Sequence, residues 1–202
     1  MRAGARRELV AGPAGDIECA LDLPAGEPRG VALVAHPHPL YGGTLDNKVV
    51  QTLARAFAEL GYAAWRPNFR GVGASGGTHD EGRGEVDDLA AVLAHVKAVR
   101  PVLAGFSFGA AVQTRLAQRL AKQGNPPERM VLVGLAVKHL EAVPVPGDTI
   151  LIHGEEDTTV PLADVLAWAR PQDLPVVVVP GADHFFHRRL AVLRAIVRNS
   201  WR

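Results

Sequence analysis

Serine is scarce in this chain: 202 residues hold only Ser75, Ser107 and Ser200, beside a single cysteine and 5% aromatic residues. One cysteine excludes an internal disulfide, and Cys19 reads as a buried or incidental thiol rather than a reactive one. Net charge is missing too. Lys and Arg sum to 22 against 21 Asp and Glu, so no overall field draws the chain to nucleic acid or an anionic membrane. No run of about 18 apolar residues is present to span a bilayer. The opening "MRAGARRELVAGPAGD" carries arginines but lacks the apolar core of a secretory leader. These absences predict a cytoplasmic protein without nucleic-acid or membrane partners, a monomer by default, whose ligand is a small molecule bound in a local site.

What the chain does hold is a core. With 48% apolar and 21% charged residues, it has the profile of one globular domain over 1–202. Short β-branched runs alternate with longer stretches of helical period. "GVALVAH" precedes "DNKVVQTLARAFAELG", in which Val49, Val50, Leu53, Ala54, Phe57 and Leu60 recur at helical spacing and Gly61 stops the run. "YAAWRPNF" leads through a glycine-rich loop to "EVDDLAAVLAHVKAV", and "PVLAGFS" leads into "FGAAVQTRLAQRLAKQG". "MVLVGLAV", "DTILIHG" and "PVVVVPG" are continuous apolar runs of the type buried on both faces, and the last precedes a closing helix from Phe185 to about Asn199. The pattern predicts an α/β fold, a mostly parallel sheet of about seven strands covered by helices on both faces. "RRELVAG" and "DIECALDLP" flank "PAGD" as an antiparallel hairpin at the sheet edge.

In open α/β sheets ligands bind beyond the carboxyl ends of the strands. Gly105-Phe106-Ser107-Phe108-Gly109 lies at such an end, and G-x-S-x-G at a strand-to-helix junction is the pattern of a nucleophile elbow. Glycine at both flanks removes Cβ atoms that would clash in so tight a turn. A serine hydroxyl needs a base, and the base needs an orienting group. Downstream, "ILIHGEEDTTVP" ends one strand in an acidic turn and "VVVVPGADHFF" ends the next with a histidine.

"GFSFG", "HGEEDTTVP" and "GADHFF", with "HPHPLYGGTLDNKVV" and "NFRGVGASGG" upstream, resemble the small lidless α/β-hydrolases near the dienelactone-hydrolase-like and carboxylesterase branch, across almost the whole chain. The resemblance implies Ser107 as nucleophile, Asp157 as acid and His184 as base. Asp157 fills the aspartate place of the H-G-x-x-D-x-x-V-P pattern, ahead of Glu155 and Glu156. His184 is preferred to His187, which falls within the expected helix, and Asp183 reads as that helix's cap. Dienelactone hydrolases proper use cysteine, so the serine here points to esterase chemistry.

An oxyanion needs two donors. The backbone N–H of Phe108 is one. The other comes from "HPHPLYGG", where Pro37 and Pro39 have no N–H and His38, Leu40 and Tyr41 remain. Comparison with the H-G-x-P loop of related hydrolases favours His38, then Leu40. Tyr41 and Phe106, with Trp65 and Phe108, are either pocket walls or core. His36 and His38 form an H-x-H pair without the companions of a metal site, so neither metal nor cofactor is expected. Arg70 and Ser75 read as loop-holding. Only the eleven residues 138–148 separate "MVLVGLAV" from "TILIHG", too few for a cap, so the site is expected to be open and suited to small or short-chain esters or thioesters.

Overall fold

The computed structural model describes residues 5–138 and 140–201; residues 1–4, which open the stretch read above for a leader, lie outside them with His139 and Arg202. Strands β1 (Arg6–Gly12) and β2 (Gly15–Asp22) form the antiparallel hairpin. The chain then alternates through β3 (Gly30–Ala35), α1 (Lys48–Glu59), β4 (Tyr62–Pro67), α2 (Arg83–His95), β5 (Val102–Phe106), α3 (Phe108–Lys122) and β6 (Arg129–Val133). It ends with β7 (Ile150–Gly154), α4 (Leu162–Ala169), β8 (Val176–Val179) and α5 (Leu190–Asn199). Eight strands make one sheet in the order β1-β2-β4-β3-β5-β6-β7-β8, parallel from β4 to β8. The hairpin joins it because β2 pairs antiparallel with β4, which brings the count to eight rather than about seven.

Local sequence explains the boundaries. Asn47 caps α1, its side-chain oxygen accepting the Val49 and Val50 N–H groups, and Gly61 ends the run at φ 92°. Glu85 is wholly buried and accepts the N–H groups of Asp80 and Gly82 at 2.9 and 2.8 Å, so α2 begins at Arg83, slightly ahead of the expected start. Helices α1 and α5 cover one face of the sheet around Phe57, Phe106, Phe186 and Leu193; α2, α3 and α4 cover the other around Leu33, Leu89, Leu116 and Val165. Each such side chain contributes about 1.5–3 kcal/mol on burial.

Two expectations need correction. "PVVVVPG" is not buried on both faces: Val177 and Val178 are exposed, because β8 is the edge strand with β7 as its one neighbour. The closing helix starts at Leu190, not Phe185. Phe186 and Arg188 take left-handed φ values of 55° and 58°, which helical backbone cannot continue. Asp183 therefore caps no helix; it accepts the His187 N–H at 3.0 Å within a turn. Cys19 is buried, its thiol pushed up to about 12 by desolvation and then by Glu8 and Glu18, so it stays protonated and inert. Among the described residues no helix is long and apolar enough to cross a membrane.

Arg70 and Ser75 hold the loop after β4. Ser75 Oγ accepts the Glu18 N–H at 3.0 Å and donates to Asn68 O at 2.9 Å. Arg70 grips Asp88 of α2 with two bonds of 2.8 Å and donates to Gly84 O at 2.7 Å. Arg70→Met would leave the buried Asp88 carboxylate unpaired, and guanidinium unfolding should show a loss of about 3–5 kcal/mol. A loss under about 1 kcal/mol would show that the ion pair does not hold the loop.

Candidate active site

Strand β5 ends at Phe106 and α3 begins at Phe108, so Ser107 alone makes the turn. It does so at φ 55°, ψ −117°, a conformation that costs a non-glycine residue about 1–3 kcal/mol. Its N–H donates to Val133 O at 2.9 Å, and its carbonyl accepts Ala110 and Ala111 of α3. The flanking glycines let backbone pass. A Cβ on Gly105 would stand 2.6 Å from Ala110 N, and one on Gly109 2.4 Å from His36 O.

The same device brings in the other two groups. A Cβ on Gly154 would stand 2.4 Å from Ala182 O, so glycine there lets the loop after β8 lie against the end of β7. Glu156 N–H then donates to Ala182 O at 2.9 Å. His184 is thereby set with Nε2 3.1 Å from Ser107 Oγ and Nδ1 2.6 Å from Asp157 Oδ2. Asp157 Oδ1 is occupied by the N–H groups of Thr159 and Val160 at 2.9 and 2.8 Å, which aims Oδ2 at the ring. Phe106 packs on His184 at 4.8 Å between centroids. Gly134 lies so near that a Cβ would meet His184 Cε1 at 3.3 Å. Glu155 instead takes the Gly181 N–H, Glu156 is exposed, and His187 is exposed on Asp183. A hydroxyl, an imidazole and a carboxylate in series can carry a proton off the hydroxyl on demand.

Phe108 opens α3, so its N–H has no intrahelical carbonyl to reach. The ring of His38 lies 4.7 Å from the ring of Phe108. Leu40 N–H donates to His38 Nδ1 at 3.3 Å and Tyr41 N–H to His38 O at 3.1 Å. Leu40, the second choice for an oxyanion donor, is thus turned into its own 3-10 turn.

Phe108 and His38 stand on one wall of a cleft of about 620 Å³, whose other walls include Tyr41, His79, Arg115 and Leu140. Tyr41 is 84% exposed at its rim. Phe106 is not a pocket wall: it is fully buried, its ring the floor beneath His184. Trp65 likewise belongs to the core. His79 was not singled out by any motif; it arrives because the buried Glu85 fixes residues 80–82. Phe185, 46% exposed and 5.2 Å from the His184 ring, was legible only as the residue after the base. Both nitrogens of His36 are taken, Nε2 by the Phe69 N–H at 2.9 Å and Nδ1 by Pro37 O at 2.7 Å. Among the described residues no group of three or more His, Cys, Asp or Glu is placed to hold a metal ion.

An α/β sheet with a serine elbow, no cap, and acid and base loops at the strand ends defines a lidless α/β serine hydrolase. Residues 26–148 match the model of the Hydrolase_4 family, described as serine aminopeptidase, S33, and the chain belongs to that family. It is similar to an α/β serine hydrolase homologue from Coxiella burnetii, 38% identical over 98% of this chain and 97% of that one, with a TM-score of 0.85. A serine hydrolase without lid from Xanthomonas campestris is 34% identical over 99% and 94% of the two chains, with a TM-score of 0.87. An uncharacterised protein of Rickettsia prowazekii (strain Madrid E) is 33% identical over 87% of this chain and 79% of its own length.

Two outcomes follow from the geometry. Gly109→Ala sets a methyl against backbone carbonyls rather than a flexible side chain, so the variant should lose several kcal/mol of stability; an unchanged melting temperature would contradict the close approach. Burial lowers the pKa of His36 to about 4, only partly opposed by Pro37 O. As pH falls from about 6.5 towards 4, the unfolded chain binds a proton there that the folded chain refuses. Stability should therefore fall by up to about 1.4 kcal/mol per pH unit from this group, with His153, also lowered by burial, adding in the same sense. In urea titrations His36→Gln should flatten that slope, and equal slopes would exclude His36 as its source.

Proposed function

We propose that this protein hydrolyses carboxylic esters of small or short-chain acids through an acyl-enzyme. The carrying observation is the chain of bonds from Ser107 Oγ to His184 Nε2 at 3.1 Å and from His184 Nδ1 to Asp157 Oδ2 at 2.6 Å. Ser107 Oγ attacks the carbonyl carbon while His184 Nε2 takes its proton, and Asp157 holds the imidazole in the Nδ1–H tautomer. The oxyanion is stabilised by the N–H groups of Phe108 and His38, fixed before the reaction by a helix start and a proline-stiffened loop. Collapse breaks the ester C–O bond, and His184 returns the proton to the departing alcohol oxygen. Water then gives its proton to His184 and attacks the acyl carbon; the proton passes back to Ser107 as the acid leaves. These steps need no cofactor, and the same machinery accepts a thioester.

The substrate class is supported by the cleft beside Phe108, which is not lined by Ser107 or His184 themselves but reaches the residue that follows the nucleophile. Its apolar walls, Leu40, Tyr41, Phe108 and Leu140, are interrupted by Glu81, Arg83, Arg115, Lys138 and Glu141. A long alkyl chain would lie against charge rather than in an apolar tunnel. A short acyl group needs only the space beside Phe108.

A p-nitrophenyl ester series tests this. The kcat/KM should be highest for acetate to butyrate and fall towards octanoate, and Ser107→Ala should reduce kcat by about 10⁴-fold or more. A fluorophosphonate should label the wild type and not Ser107→Ala. Full activity in the alanine variant would move the chemistry elsewhere. Faster turnover of an amino-acid p-nitroanilide than of any ester would replace the ester with the peptide-like substrate in the family's description.

A further inference from the structure

We propose that His153 is a positioning residue for the acid: its ring N–H grips the Val160 carbonyl and so holds the Asp157 carboxylate on His184. The proposal rests on the triad reading above. His153 lies in β7 and is fully buried. Its Nε2 stands 2.8 Å from Val160 O and 3.5 Å from Asp157 Oδ2. A carbonyl only accepts, so Nε2 carries the hydrogen. Burial holds the ring neutral, and a neutral imidazole has one N–H. Nδ1 is then a bare acceptor, and it is buried with no hydrogen-bond partner.

Val160 is thus held from both sides. Its N–H donates to Asp157 Oδ1 at 2.8 Å, and its C=O accepts from His153. With Thr159 N–H also on Oδ1 at 2.9 Å, the carboxylate is locked with Oδ2 towards His184. Packing alone does not account for a histidine here. An orphaned buried nitrogen is destabilising, and leucine would fill much of the same space without it. What leucine lacks is the donor that closes the 157–160 turn.

The test uses the rate of fluorophosphonate labelling at Ser107, the kcat and KM for p-nitrophenyl acetate, and the melting temperature. His153→Leu exchanges an orphaned ring nitrogen for an orphaned Val160 carbonyl and should melt near the wild-type temperature, yet label about ten- to a hundredfold more slowly, as misplacement of a catalytic group predicts. The KM should hold while kcat falls, since His153 touches no substrate. In His153→Gln the amide nitrogen can stand where Nε2 stood, and most of the rate should return; in His153→Asn it falls short, near the Nδ1 position, and the rate should stay low. Should the leucine variant not fold, the Gln and Asn pair decides. A leucine variant as fast as wild type, or asparagine rescuing as well as glutamine, overturns the proposal while leaving the triad reading intact. A wild type that does not label at Ser107 overturns both.

Discussion

Steric access of backbone to backbone is the constraint on which the site depends. Ser107 has to turn a strand into a helix within one residue, and it does so at a positive φ that is tolerated only because its surroundings fix it. Val133 O holds its N–H from the next strand, and the first turn of α3 holds its carbonyl. Three glycines then let two other segments come close: Gly109 admits the end of β3 and the loop after it, Gly154 admits the loop carrying His184, and Gly134 leaves room for the imidazole of that loop. The polar contacts follow from this packing. A hydrogen bond of about 1 kcal/mol net could not assemble four chain segments against a Cβ in the way.

The electrostatics are arranged around the same point. Two histidines besides His184 end strands near the site, His36 after β3 and His153 in β7, and both are fully buried and shifted towards the neutral form. His36 fixes its ring by donating to Pro37 O and accepting from Phe69 N–H, which ties the loop after β3 to the loop after β4. Neutral rings at these places add no cation to compete with His184 for Asp157. They also make acid a destabilising condition, because the unfolded chain protonates more readily than the folded one.

Much of this was legible in the sequence, for physical reasons that differ by residue. The elbow declares itself because glycines are required on both sides of one serine. Strand ends, where a parallel sheet presents side chains to a common crevice, point to the acidic turn of Glu155, Glu156 and Asp157 and to the histidine after β8, and the family resemblance singles out Asp157 and His184. Phe106 stays open between pocket wall and core in the sequence, because the residue before the nucleophile looks the same whether its ring faces a pocket or supports the base. The start of α5 was missed because "FFHRRLAVLR" has helical composition, and nothing in it announces the two left-handed residues, Phe186 and Arg188. β8 reads as a buried strand from its valines, yet burial of both faces depends on what lies alongside it, which periodicity does not encode. His79 and Arg115 enter the cleft from loop and helix positions with no motif of their own.

The absence of a cap bears on selectivity as well as access. The segment between β6 and β7 carries no helix or strand among its described residues, yet it is not idle: Leu140 packs on Gly82, and Leu140 O accepts Arg115 at 2.5 Å. This segment, the loop after β4 and the start of α3 are therefore braced against one another, and the cleft between them is shaped by mutual support rather than by a moving lid. Arg83 and Lys138 in its walls are paired with carboxylates, Asp80 and Asp164, whereas Arg115 is tied to a carbonyl. A guanidinium with a neutral partner retains donors for a ligand. Selection among substrates then falls to fixed polar groups on an open wall, where each is judged by how well it meets those groups and not by whether a cover can close over it.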